Sequence, residues 1–226
     1  MRPDALIFDF DGVLLESEFV GNRQIAETLT VLGHPTTLAD TQRHFVGLSG
    51  ADFRAALERW IGGAIPAAFD DACAEHARAA LAVGLEAVAG AVAFVRALPA
   101  ELPRAVASSS TTGWIAAHLD HLGLADAFGP HIYSGAEHVE RGKPAPDLYR
   151  HAADALGVPI GRCAILEDSE VGVRGAVASG ARVIGVTAGL HCPAEHGDTL
   201  RRLGAKEVAT SFAEVAALLE LPECST

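Results

Sequence analysis

Apolar and polar positions change rhythm twice along the chain. Ala5 to Phe10 is a short apolar, β-prone run closed by a glycine turn, and it predicts a buried strand. From Ser17 to about Leu85 no strand pattern appears. Ile25, Leu29 and Leu32 recur at helical spacing, as do Phe53, Leu57 and the pair Trp60-Ile61, while Ala67 to Val83 is alanine-rich with scattered charge. Breaks at Gly33-His34-Pro35, Gly47 and Gly62-Gly63 divide this stretch into a bundle of about four helices.

After Gly90 the pattern alternates. Strands are predicted at Arg104 to Ala107, His131 to Tyr133, Cys163 to Leu166, Arg182 to Val186 and Glu207 to Ala209. Helices are predicted at Thr112 to Leu122, Pro146 to Leu156, Gly172 to Ser179, near Thr199 to Leu203, and at Ala213 to Leu219. Repeated β-α units imply an α/β fold, a Rossmann-like parallel sheet with helices on both faces. Ligands of such sheets sit beyond the carboxyl ends of the strands. The helical stretch interrupts the sheet after its first strand. The expected organisation is one α/β core domain, residues 1–16 and 87–226, and one inserted helical domain, residues 17–86.

Charge narrows the function. Seventeen Lys and Arg stand against twenty-nine Asp and Glu, a formal net charge of -12. Such a surface repels nucleic acid and anionic lipid headgroups, so neither is an expected partner. It also repels a free phosphate ester, so a phosphate site here needs its own positive charge. Apolar runs break well short of the roughly 18 residues of a membrane span. The amino terminus has no signal-peptide character. Cys73, Cys163, Cys192 and Cys224 form no C-x-x-C pair or zinc-spaced cluster, and a reducing cytoplasm is the expected compartment.

Four sites carry chemistry. Asp9-Phe10-Asp11-Gly12-Val13 ends the first strand. Residues two apart on a strand point to one side, roughly 6.8 Å apart, so two carboxylates are expected to face one spot. Alone, the motif reads equally as a turn with exposed acids. Leu166-Glu167-Asp168-Ser169 ends another apolar strand, where Asp and Ser also serve as helix caps. Together the acids repel each other by about 4 kcal/mol for a pair roughly 4 Å apart at an effective dielectric near 20. A divalent cation relieves that, and an all-oxygen set suits Mg²⁺. Gly142-Lys143-Pro144-Ala145-Pro146-Asp147 places a lysine in a stiff loop before a helix. Ser108-Ser109-Ser110-Thr111-Thr112 follows a strand and opens a helix, where hydroxyls and free N–H groups can cap the helix or bind phosphate.

Asp-Phe-Asp-Gly-Val-Leu, Ser after an apolar strand, Gly-Lys-Pro-x-Pro-Asp and Leu-Glu-Asp-Ser resemble, in order and spacing, the four motifs of the haloacid dehalogenase superfamily. The resemblance spans nearly the whole chain. Its helical insert is similar to the cap of the group that includes β-phosphoglucomutase and many small-molecule phosphatases. The resemblance implies that Asp9 attacks phosphorus and forms an aspartyl phosphate. It implies that Asp11 is acid to the leaving alcohol, then base for water. Ser108, Ser109 and Lys143 hold phosphate oxygens, and Lys143 offsets the charge of Asp9. Mg²⁺ is held by Asp9, the Asp11 carbonyl and Asp168, with Glu167 a direct or water-mediated ligand.

Three positions depart from that pattern. Glu16 stands where relatives commonly carry Asp, near the hinge. The cap histidine of β-phosphoglucomutases falls by register near Gly21, and their cap arginine at Gly50. Without a second phosphate grip, the implied activity is a phosphatase acting on a small phosphorylated metabolite, in a monomer or homodimer. A sugar-phosphate mutase is the alternative. A 2-haloacid dehalogenase needs no metal carboxylates and fits less well, and a non-catalytic binding protein would not need all four motifs. Specificity is expected from the cap, on the loop Val46 to Gly50 with Gly47 against substrate, and on the helix near Phe19 to Arg23. His191, Cys192 and His196 lie in a loop within possible reach of substrate. His34, His118, His121 and His138 read as surface or capping residues, and Trp60 and Trp114 as helix-packing residues.

Overall fold

The computed structural model describes residues 2–45, 48 and 50–221. In chain order its elements are β1 (Ala5–Phe8), α1 (Ser17–Val31), α2 (Leu38–His44), α3 (Gly50–Ile61), α4 (Ala67–Val83), α5 (Ala91–Ala97), β2 (Arg104–Ser108), α6 (Thr112–His121), α7 (Ala125–Phe128), β3 (Ile132–Ser134), α8 (Asp147–Ala155), β4 (Cys163–Glu167), α9 (Glu170–Ser179), β5 (Arg182–Val186), α10 (His196–Arg202), β6 (Glu207–Ala209) and α11 (Phe212–Leu218).

The six strands form one sheet in the order β3-β2-β1-β4-β5-β6, and every pairing is parallel. β1 lies inside it, with Phe8 opposite both Val106 of β2 and Leu166 of β4. Because all strands run the same way, their carboxyl ends share one edge. That edge collects Asp9, Ser108 and Glu167.

Strand alternation explains the two layers of helices. Leu6, Phe8, Val106, Leu166 and Ile184 face one side and pack with Phe94, Ile115, Leu119, Phe128, Phe212 and Val215 from α5, α6, α7 and α11. Ala5, Ile7, Ala105, Ile165 and Val183 face the other and pack with Leu148, Tyr149, Ala152, Val173, Ala176 and Leu200 from α8, α9 and α10. Strands buried on both faces read as continuous apolar runs, as these do. α5 left no periodic trace, because Ala-Val-Ala-Phe-Val-Arg-Ala has one charge and no polar face.

The chain divides into two compact units, residues 1–16 with 85–226, and Ser17–Gly84. The second unit holds α1 to α4 around Leu29, Phe45, Leu57 and Phe69. Thr37 opens α2 with a capping box to Asp40, and Trp60 Nε1 donates to Thr36 Oγ1 at 2.8 Å. No helix among the described residues is long and apolar enough to cross a membrane.

Candidate active site

Asp9 follows β1, and its N–H donates to Leu166 O at 2.9 Å, which locks the two strand ends together. Asp9, Glu167 and Asp168 are all buried, and one oxygen from each lies within 4.8 Å of the other two. Lys143 reaches into this group from its loop. Its Nζ is 2.7 Å from Asp9 Oδ1 and 2.7 Å from Glu167 Oε1, and the side chain is only 4% exposed. Burial pushes the Asp9 carboxyl well above its ordinary range. Lys143 pulls it down, while Glu167 and Asp168 add to the rise. Burial opposes the charge on Lys143, yet Asp9 and Glu167 outweigh it and hold the ammonium well above its usual value.

Glu167 is fully enclosed. Oε1 accepts from Lys143 and from Tyr149 OH at 3.0 Å; Oε2 accepts from Ser169 N at 2.8 Å and Ser169 Oγ at 3.1 Å. Those four bonds use the lone-pair capacity of a carboxylate. Ser169 also caps α9 by accepting from Gly172 N. Gly172 sits so close that a Cβ there would overlap Glu167 Oε1.

Asp11 has its own partners. Its Oδ2 accepts from Ser110 Oγ at 2.6 Å and Ser108 Oγ at 3.2 Å, and its Oδ1 accepts from Trp114 Nε1 at 3.1 Å. These contacts tie Asp11 to the end of β2, to the segment that follows it and to the first turn of α6. β1 ends at Phe8, and the chain turns at Gly12 with φ +84°. Ser108 is buried against Asp11, whereas Ser109 is exposed. Ser110 and Trp114 are additions that no spacing rule signalled. Trp114 also stacks on His118, so it packs and donates at once.

Three further groups meet Asp168 and its surroundings. His191 Nε2 donates to Asp168 Oδ2 at 2.7 Å, and His196 Nε2 to Asp168 O at 2.5 Å. Glu16 accepts the Leu190 N–H at 3.2 Å on each oxygen, so it does more than adjust a hinge. Burial raises its pKa, and the Leu190 N–H opposes that. Gly47 lies outside the described residues, as do Val46 and Ser49.

Comparison with known proteins places this geometry. A model of the haloacid dehalogenase-like hydrolases matches residues 3–180. Hexitol phosphatase A of Escherichia coli K12 is 30% identical over 205 residues, covering 85% of this chain and 87% of that protein. Fructose-1-phosphate phosphatase of the same organism is 31% identical, covering 82% and 97%. Among solved structures, a haloacid dehalogenase family hydrolase of Deinococcus radiodurans with bound phosphate and sodium superposes with a TM-score of 0.85 at 36% identity, covering 97% of this chain and 96% of that one. The chain belongs to the haloacid dehalogenase-like hydrolases. Within them it falls in the small-molecule phosphatase group, as its motifs implied.

Proposed function

We propose that this hydrolase is a Mg²⁺-dependent phosphatase that cleaves a small phosphate monoester, a sugar phosphate or related metabolite, through an aspartyl phosphate on Asp9. The observation that carries this reading is the ammonium of Lys143 held 2.7 Å from Asp9 inside a buried group of three carboxylates. The two phosphatases named above, one named for hexitol and the other for fructose 1-phosphate, support the substrate class.

The donor set fits the metal. Three buried carboxylates against one ammonium leave a negative excess of hard oxygens, which suits Mg²⁺ and no soft ion. Asp9, Asp168 and the Asp11 carbonyl are the proposed ligands. Glu167 has both oxygens engaged and acts through Lys143. When bound, the ion offsets charge on the phosphoryl oxygens.

Asp9 attacks phosphorus as its ester bond to the alcohol breaks. Asp11 gives that alcohol a proton, then takes one from the water that hydrolyses the aspartyl phosphate. Ser108, Ser109 and Lys143 hold the phosphoryl oxygens, so positioning and electrostatic stabilisation do most of the work.

The test is hydrolysis of an aryl phosphate by wild type and by Asp9→Asn, with and without Mg²⁺. Turnover that needs Mg²⁺ and vanishes in the variant is expected. Wild-type rates in Asp9→Asn would sink the nucleophile assignment, and turnover unaffected by chelator would sink the metal. Primer-dependent conversion of glucose 1-phosphate to glucose 6-phosphate would instead identify a mutase.

A further inference from the structure

The segment from the loop after β5 to the first residue of α10 grips Asp168 twice. His191 Nε2 lies 2.7 Å from Oδ2 of its carboxylate, and His196 Nε2 lies 2.5 Å from its main-chain oxygen. Both partners are acceptors, so both nitrogens carry protons. The contacts fall on the side chain and the backbone of one residue, which fixes where that carboxylate stands and how it is turned.

The seat for His191 is built from backbone. The ring is 3% exposed. A Cβ on Gly12 would stand 2.8 Å from its Cε1, and a Cβ on Gly189 would stand 2.7 Å from both Cε1 and Nδ1. Either distance is closer than packed atoms adopt, so the slot exists only because both residues are glycine. Gly12 belongs to the turn that follows Asp9 and Asp11, so the same imidazole touches both acidic motifs.

The loop is anchored one residue away. Glu16, 6% exposed, receives the Leu190 N–H on both carboxylate oxygens. This holds the chain at the residue preceding His191. Cys192 Sγ lies 3.3 Å from the same His191 nitrogen.

We propose that His191 is a positioning residue for Mg²⁺, setting the affinity of the site by holding Asp168 Oδ2 through its Nε2–H. The proposal rests on the phosphatase reading above, in which Asp168 is a metal ligand. Hydrogen-bond donors that orient a metal-binding carboxylate remove the freedom it would otherwise lose when the ion arrives. Glu16 and His196 serve the same end by placing the loop.

The experiment is calorimetric titration of MgCl₂ into metal-stripped wild type, His191→Gln and His191→Leu. The glutamine amide can present an N–H where Nε2 stood, whereas leucine keeps bulk without a donor. His191→Leu is expected to weaken Mg²⁺ binding by about 10- to 100-fold. His191→Gln is expected to stay much nearer wild type, with thermal midpoints in chelator alike for all three. Equal affinity in His191→Leu and wild type overturns the proposal, and so does a glutamine variant as weak as the leucine one. Absence of binding in wild type overturns the phosphatase reading and this inference with it. Should His191→Leu fail to fold, nitrogen-correlated NMR of wild type decides. An Nε2–H tautomer whose signals move with Mg²⁺ supports the assignment, and an Nδ1–H tautomer overturns it.

Discussion

Lys143 and Asp9 form a buried ion pair across 134 residues of sequence, Nζ to Oδ1 at 2.7 Å, with Glu167 on the ammonium's other side. Removing one partner of such a pair strands charge in a dry site. Lys143→Met should therefore abolish turnover and destabilise the metal-free protein by about 3–5 kcal/mol near neutral pH. Urea denaturation in chelator measures the second effect. A variant as stable as wild type would show that water or protonation already relieves Asp9 and Glu167.

Gly172 gives Glu167 its space. Gly172→Ala must push the carboxylate aside or open the first turn of α9, and Tyr149 and Ser169 hold that carboxylate in place. Overpacking of this kind costs about 1–3 kcal/mol. Alanine is ordinarily the better helix former, so a stability loss here runs against propensity and reports the clash. Thermal unfolding of the two proteins checks it.

Trp114→Phe keeps an aromatic ring on α6 and deletes the indole N–H that faces Asp11 Oδ1. Ser108 and Ser110 still hold Oδ2. A hydrogen bond to a charged group contributes about 1.5–3 kcal/mol, so a drop in kcat of about tenfold or more is expected, with the fold intact. Steady-state kinetics decides, and an unchanged kcat would mean that Trp114 only packs.

The strand ends were readable because buried parallel strands are plain apolar runs, and an acid directly after one is conspicuous. Asp9, Glu167, Asp168 and Lys143 meet for that reason. Asp11 was readable as a residue, but its partners Ser110 and Trp114 were not. Which hydroxyl of Ser108-Ser109-Ser110 turns inward depends on the backbone path between β2 and α6, which composition does not encode. Tyr149 carries helical periodicity whether or not its hydroxyl finds a partner, so its bond to Glu167 left no trace. His191 lies in a loop without periodicity, and His196 opens the short helix α10. The only hint was a pair of histidines near a glycine.

Arg182 on β5 forks onto Glu207 on β6, with Nε and Nη2 each 2.7 Å from a carboxylate oxygen. The guanidinium holds Glu207 below the ordinary glutamate range, although partial burial opposes this. A lowered folded pKa means that the unfolded chain takes up the proton first. The stability from this pair is thus present above the ordinary glutamate pKa of about 4.3 and lost as the pH falls through the folded value. Glu207→Gln should cost about 1 kcal/mol near pH 7, because the pair is only partly shielded. The gap to wild type should close in acid. Chemical denaturation across pH measures it, and a gap independent of pH would assign the loss to packing.

The place of β1 inside the sheet has a consequence for how the chain comes into being. Ala5–Phe8 is made before both of its neighbours, Arg104–Ser108 and Cys163–Glu167. A nascent chain holds the strand that leads into Asp9 unpaired on one side until β4 has been synthesised. Pairings so distant in sequence are the slow kind to form. The event that closes the sheet around β1 is also the one that delivers Glu167 and Asp168 to Asp9. Closure of the sheet and assembly of the acidic cluster are thus one step in the folding of each molecule.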